Sequence, residues 1–285
     1  MNNAVFHRYH GLGNDYLVCE QSIFEQFTTA QLVRICDRHR GIGSDGILVN
    51  VSSANGIALR IINPDGSEAE KSGNGLRIFA RYLYDQGKVA EQAFAVLTPG
   101  GRVSCQVFDS GHTIVVDMGQ AHFTPDSLPA LVPADQALSL PLAINHTRFN
   151  ATLVSMGNPH CVIQVDNITP ALVKEYGSQL EVLSIFPKRT NVQFVKVLDR
   201  HNIEIGIWER GAGYTQASGS SSCAAASAMK KRGLVDNQVR VHMPGGSLMI
   251  SLDDDYQVKM RGPVQKIAEV RLDADCFADL DEGLG

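Results

Sequence analysis

The sequence predicts an α+β fold in two pseudo-symmetric halves, each an antiparallel sheet or barrel wrapped around a buried central helix. Two observations carry that prediction: an internal repeat, and in each half a set of short β-branched runs around one helical segment. Ser72 opens SGNGLRIFARYLYDQG and Ser218 opens SGSSSCAAASAMKKRG, and Gly87 and Gly233 each follow their serine by fifteen residues. Asn63 precedes Ser72 by nine residues, as Glu209 precedes Ser218. Thr98-Pro99-Gly100-Gly101 answers Met243-Pro244-Gly245-Gly246, Gly13-Asn14-Asp15 answers Gly157-Asn158-Pro159, and Thr28-Thr29-Ala30 answers Thr169-Pro170-Ala171. Matches in the same order at similar spacing mark a duplicated unit.

The elements follow from local pattern. Thr28-Thr29-Ala30 and Thr169-Pro170-Ala171 each open an apolar helical pattern. Ile57–Ile62, Phe94–Leu97, Thr113–Val116 and Ile203–Trp208 are rich in β-branched residues and bounded by Gly, Pro, Asn or Asp, which predicts strands. After Ser72, Leu76, Phe79, Ala80 and Leu83 fall at helical spacing, and Gly87 and Gly233 stand where a helix stops. Ala224, Ala225, Ala226, Ser227 and Ala228 leave the second helix almost no polar face, which predicts a buried helix. The halves are placed at residues 1–130 and 131–275, with a 276–285 tail that packs back onto the first. The Pro-rich stretch from Pro125 to Pro141 is the expected link.

A hydrophobic content of 44% supports a substantial core, and a net charge of −5 with pI near 6.0 argues against nucleic acid or an anionic membrane as partner. A basic-then-apolar leader is absent, as is any apolar run of about 18 residues, so the expected location is the cytoplasm. Cys19, Cys36, Cys105, Cys161, Cys223 and Cys276 form no close-set pairs, so the reading is reduced thiols packed as small apolar groups, with no metal.

A helix N-terminus presents unsatisfied N–H groups and a partial positive charge, and glycines after Ser72 and Ser218 let a ligand approach the backbone. Each start therefore suits a carboxylate or phosphate, while each serine taken alone also suits an ordinary N-cap. Two equivalent starts brought to one small anion suggest chemistry on two faces of one carbon: a proton removed from one side and returned on the other. Asn14, Asn63, Asn74, Asn158, Asn191, Glu209 and Arg210 supply the polar groups an amino acid needs. Trp208 is read as packing beneath Glu209, and His39 and His242 as surface or strand residues.

Seven stretches, HGLGNDY at 10–16, GIGSDG at 41–46, NPDGSE at 63–68, SGNG at 72–75, SMGNPHC at 155–161, WERGAG at 208–213 and PGG at 244–246, resemble the diaminopimelate epimerase family over essentially the whole chain. That resemblance implies a cofactor-independent, PLP-independent isomerase of lysine biosynthesis, interconverting LL- and meso-diaminopimelate or a related amino acid, commonly as a homodimer. It implies that Asn14, Asn63, Asn158, Asn191, Glu209 and Arg210 bind the substrate's amino and carboxylate ends. Gly73 with Asn74, and Gly219 with Ser220, would hold the α-carboxylate, and His160 and Glu209 would each pair with one catalytic group.

The family's two catalytic groups are cysteines, and here both positions are serine, Ser72 and Ser218. A thiol of pKa about 8.5 is lowered further at a helix start, whereas a serine hydroxyl needs an adjacent base even to act as a nucleophile. Ser220-Ser221-Ser222 is more serine-rich than the family pattern, and Gly46 stands where some members carry a glutamine. Three readings follow: a double Cys→Ser variant of an epimerase, a natural relative using Lys71, His160 or Glu209 as base in a one-base isomerisation or dehydration, and a non-catalytic amino-acid-binding protein.

Overall fold

The computed structural model describes residues 4–124, 127–128 and 130–281. Pro125 and Pro129, two prolines of the expected link, lie outside the described residues. The chain divides into two compact units, one built from residues up to Val116 together with those from Gly262 onward, the other from Asp117 to Arg261.

In the first unit Val5–Gly11 and Asn14–Glu20 form a hairpin. Ile47–Asn50 lies parallel to Asn14–Glu20, and Ile57–Ile62 pairs with it antiparallel. Phe94–Thr98 lies parallel to Ile57–Ile62 and continues antiparallel into Gly101–Phe108 and Thr113–Gln120. The second unit repeats this order. Thr147–Ser155 pairs antiparallel with Pro159–Gln164, and Asn191–Asp199 lies parallel to the latter. Asn202–Glu209 follows antiparallel, Gln238–Met243 runs parallel to it, and Gly246–Leu252 and Gln257–Pro263 complete the series.

Each unit is thus mostly antiparallel with two parallel pairs, which a simple antiparallel reading omits. The physical reason lies in the connections, because parallel neighbours need a crossover and a helix supplies it. Helix Thr29–Cys36 bridges the first parallel pair and helix Gly73–Asp85 the second; Pro170–Glu181 and Gly219–Lys231 do the same in the second unit. Helices Thr29–Cys36 and Pro170–Glu181 start on threonine caps: Thr28 accepts from Gln31 N and Thr169 from Leu172 N. Helices Gly73–Asp85 and Gly219–Lys231 end alike. Gly87 and Gly233 take positive φ (66° and 73°), and the next residue's N–H, of Lys88 or Leu234, returns to the carbonyl of Leu83 or Met229.

Both of these helices are buried as the hydrophobic pattern requires. Leu76, Ile78, Phe79, Ala80 and Leu83 are fully covered in the first, and Cys223 to Ala226, Ala228 and Met229 in the second. The serines of the second helix stay buried because they bond inward: Ser222 Oγ donates to Ser218 O (2.8 Å) and Ser227 Oγ to Cys223 O (2.7 Å). The first unit is closed from the far end of the chain: Gln265–Arg271 pairs antiparallel with Val5–Gly11, and Phe277 enters the core beside Phe27. Among the described residues, no helix is long and apolar enough to cross a membrane.

One close packing gives a stability test. A Cβ added at Gly177, in helix Pro170–Glu181, would lie 2.6 Å from Trp208 Cβ and 2.8 Å from its Cγ. Gly177→Ala gains helix propensity of about 1 kcal/mol and suffers overpacking of roughly 1–3 kcal/mol against an indole that cannot retreat. We expect a net loss of about 1 kcal/mol in urea unfolding; an unchanged midpoint would show that the indole shifts freely.

Candidate functional site

Two helix starts of near-identical geometry carry the candidate residues, one in each unit. Ser72 caps helix Gly73–Asp85 with φ −139° and ψ 120°, and Ser218 caps helix Gly219–Lys231 with φ −145° and ψ 126°. Each hydroxyl accepts from the N–H three residues on: Gly75 N at 3.0 Å and Ser221 N at 3.5 Å. Both serines are therefore N-caps, and what else each hydroxyl touches separates the two sites.

In the second unit Ser218 is buried and its Oγ donates to Glu209 Oε2 at 3.1 Å. A hydroxyl that donates to a carboxylate is the arrangement of a nucleophile or base activated by its neighbour. Glu209 ends the strand Asn202–Glu209, and the turn that follows it is clamped from beneath. Buried Glu181 accepts from Trp208 Nε1 (2.7 Å) with one oxygen and from Gly211 N (2.9 Å) with the other. Asn191 accepts from Arg210 N (3.0 Å) and donates to Pro159 O (2.9 Å). Trp208 packs partly buried against the core of its unit and is pinned by Glu181, a residue with no signal in its own sequence context.

Asn158 Oδ1 lies 2.9 Å from His160 Nε2, so these two form one group with Asn191 across the parallel strands. His160 is fully buried, and burial drives its pKa down to about 3 against the weaker pull of the Gln193 side chain. Its imidazole is neutral near pH 7. Gln193 Nε2 in turn donates to Ser221 Oγ at 3.0 Å, on the first turn of the helix. Gly219 is buried there and Ser220 is half-buried, while the Arg210 side chain is exposed and reaches Lys188 O at 3.4 Å.

In the first unit the corresponding start sits on an ionic chain. Arg8 and Arg38 both bind the Asp15 carboxylate (2.6 and 2.8 Å), and Arg38 also binds Asp45 (2.7 Å). Burial alone would raise the Asp15 pKa, but the hydrogen bonds from Arg38 and Arg8 outweigh it and hold the carboxyl below its ordinary range. Asp45 accepts from Asn14 Nδ2 (2.8 Å), Asn14 accepts from Asn74 Nδ2 (3.0 Å), and Asn74 accepts from the wholly buried Arg77 (2.9 Å). Asn14 and Asn74 are thereby brought together with fixed amide orientations beside Gly73. Asn63 stands apart on its turn, donating to Ser67 Oγ at 2.9 Å.

Sequence reasoning leaves out Tyr16 at this start. Its hydroxyl is 3.5 Å from Ser72 Oγ, and its ring fills the space beside Gly46. Gly46 has φ 149°, and a Cβ there would lie 2.5 Å from Ile62 O and 2.9 Å from Tyr16 Cε1, so this backbone has no room for a glutamine at that position. The remaining thiols are poor substitutes for an acid–base group: burial pushes Cys19 and Cys161 up to about 12. Among the described residues, no cluster of His, Cys, Asp and Glu is set to hold a metal ion.

Comparison with known proteins bears on this geometry. The chain matches the family model for diaminopimelate epimerase over residues 6–124 and 152–267. It is 47% identical over 276 residues to diaminopimelate epimerase 2 of a Nostoc species, covering 96% of this chain and 97% of that one. It is 39% identical over 269 residues to the diaminopimelate epimerase of Pseudomonas entomophila, covering 93% and 97%. A hydroxyproline epimerase from Agrobacterium vitis, solved with bound trans-4-hydroxy-L-proline, shares the fold with a TM-score of 0.69 at 14% identity, covering 94% and 92%. A shared profile over most of the length, with identity of this order, settles descent: the chain belongs to the diaminopimelate epimerase family.

Proposed function

We propose that this protein epimerises diaminopimelate, converting the LL to the meso isomer and back, with one acid–base position at Ser72 and one at Ser218. The observation that carries the reading is the Ser218–Glu209 pair at 3.1 Å on the N-terminus of a buried helix. As Ser218 Oγ takes the α-hydrogen, its own proton passes to Glu209, and the electron pair left on the α-carbon delocalises into the carboxylate. The first-turn N–H groups at Gly73 and Asn74, and at Gly219 and Ser220, are suited to that developing charge. Asn14, Asn63, Asn158, Asn191, Glu209 and Arg210 bind the polar ends of the substrate. His160 serves as a neutral imidazole that orients Asn158. Family membership supports a cytoplasmic, PLP-independent homodimer acting in lysine biosynthesis, a state that a sizing column reads directly.

Serine is a poorer base than the cysteine it replaces, so turnover is slow and the thiol is the natural rescue. Incubated in D2O with LL- or meso-diaminopimelate, the protein exchanges the α-proton, followed by NMR. Installing both Ser72→Cys and Ser218→Cys raises the rate by roughly a hundredfold or more. Failure of the double-cysteine protein to epimerise would sink the proposed reaction.

The His160 assignment has its own test. A group whose folded pKa lies below its unfolded value of about 6.5 gives stability that is complete above that pH and lost as pH falls toward the folded value, here about 3. Between about pH 6 and 5, above the carboxylate range, His160 contributes up to about 1.4 kcal/mol per pH unit to the slope. His160→Gln flattens the unfolding-free-energy curve in that window; parallel curves for the two proteins would show that His160 does not resist protonation.

A further inference from the structure

The sheet of the second unit brings two buried acceptors together. His160, in strand Pro159–Gln164, stands opposite Asn191, which opens the parallel strand Asn191–Asp199. Gln193 lies two residues along from Asn191 and so points to the same face as the imidazole. Both side chains are buried, Gln193 entirely, and the amide lies against the ring. His160 Nε2 meets Asn158 Oδ1 at 2.9 Å, and because an amide oxygen only accepts, Nε2 carries the hydrogen. A neutral ring then has a bare lone pair on Nδ1. Neither His160 Nδ1 nor Gln193 Oε1 has a hydrogen-bond partner among the described residues. Buried polar atoms are rarely left so.

The other end of the amide meets the helix start. Gln193 Nε2 is 3.0 Å from Ser221 Oγ, which is wholly buried on the first turn of helix Gly219–Lys231. Ser222 and Ser227 on that helix turn their hydrogens to the carbonyls of Ser218 and Cys223, four residues back. Ser221 Oγ has the Gln193 amide as its partner instead, so its hydrogen is taken up only if the amide oxygen faces it.

We infer that Gln193 is a positioning residue that sets the tautomer of His160 through a one-way chain of hydrogen bonds. Ser221 O–H donates to Gln193 Oε1, Gln193 Nε2–H to His160 Nδ1, and His160 Nε2–H to Asn158 Oδ1. The nitrogen and oxygen of a carboxamide are alike in size, so a half-turn of Gln193 exchanges them without moving a neighbour. That one turn gives both buried acceptors a donor and gives the Ser221 hydrogen an acceptor. Turning Asn158 instead would place the hydrogen on His160 Nδ1 and leave the Ser221 hydrogen facing an amide nitrogen. The catalytic consequence rests on the epimerase reading above, in which His160 is a neutral imidazole that orients Asn158. With Nδ1 taken by Gln193, Nε2 is the nitrogen His160 presents on the Asn158 side, and it presents it as N–H. Asn158, accepting through Oδ1, keeps its Nδ2 hydrogens turned away from the ring.

NMR shifts of the imidazole nitrogens distinguish a nitrogen that carries hydrogen from one that does not. The protein is labelled with isotopic histidine and studied at neutral pH, with His160 assigned by the signal that His160→Gln removes. The expected wild-type ring has its hydrogen on Nε2 and none on Nδ1. In Gln193→Glu the new carboxylate only accepts, so Nδ1 gains a hydrogen; in the near-isosteric Gln193→Met both tautomers are populated. For α-proton exchange of diaminopimelate in D2O, Gln193→Glu lowers kcat/KM roughly tenfold or more, in the wild-type and in the Ser72→Cys/Ser218→Cys background. A wild-type ring with its hydrogen on Nδ1 would overturn the chain, and that spectrum needs no variant to fold. An unchanged tautomer in both variants, or a changed one with exchange within about threefold of the parent, would overturn the positioning role. If the tautomers are as expected but the Ser72→Cys/Ser218→Cys protein leaves diaminopimelate untouched, the hydrogen-bond chain stands and the epimerase reading falls.

Discussion

The serine hydroxyl that closes the first turn of a buried helix is the interaction on which the rest of both half-sites depends. Ser72 and Ser218 take the same extended backbone and the same acceptor role toward the N–H three residues on. That bond fixes where the hydroxyl points, where the first-turn N–H groups lie and how the preceding turn arrives. The helix itself cannot shift, because it is enclosed by its own unit and stopped by a positive-φ glycine. A group that caps a helix and also performs chemistry is held without extra parts. In return it has one hydrogen to offer, and the neighbour that takes that hydrogen decides the chemistry.

The neighbours differ because the ends of the two strands differ. The Ser218 partner comes from its own hairpin, with Glu209 ending a strand that Glu181 and Asn191 clamp through Trp208, Arg210 and Gly211. The first unit puts its ionic investment elsewhere, in the Arg8–Asp15–Arg38–Asp45 chain that orients Asn14 and, through it, Asn74. One site is organised around a carboxylate that faces the hydroxyl, the other around amides that face the helix start.

The duplication is legible in the sequence because its signs are local: a capping serine, a stop glycine and a fixed offset between them. Helix starts at Thr28 and Thr169, and the burial of the alanine-rich helix, are legible for the same reason. Strand direction is not. The parallel pairing of Asn14–Glu20 with Ile47–Asn50 depends on where a crossover helix returns the chain, and no residue in either strand records it. Tyr16 is illegible as a neighbour of Ser72 because the two lie 56 residues apart in sequence and meet only in the fold. Glu181 likewise reads as one more acid on a helix until the fold places it beneath Trp208.

The pairing of Val5 with Arg271 and of Phe6 with Val270 has a consequence for how the molecule is made. A chain emerging from the ribosome ordinarily completes its N-terminal domain first. Here the first unit lacks a strand until Gln265–Arg271 has been synthesised, whereas the second is continuous from Asp117 to Arg261 and has all its strands sooner. The nascent N-terminal sheet therefore waits with the Val5–Gly11 edge unpaired, and an unpaired edge invites pairing with other chains. Emergence of Gln265–Arg271 is the event that closes it.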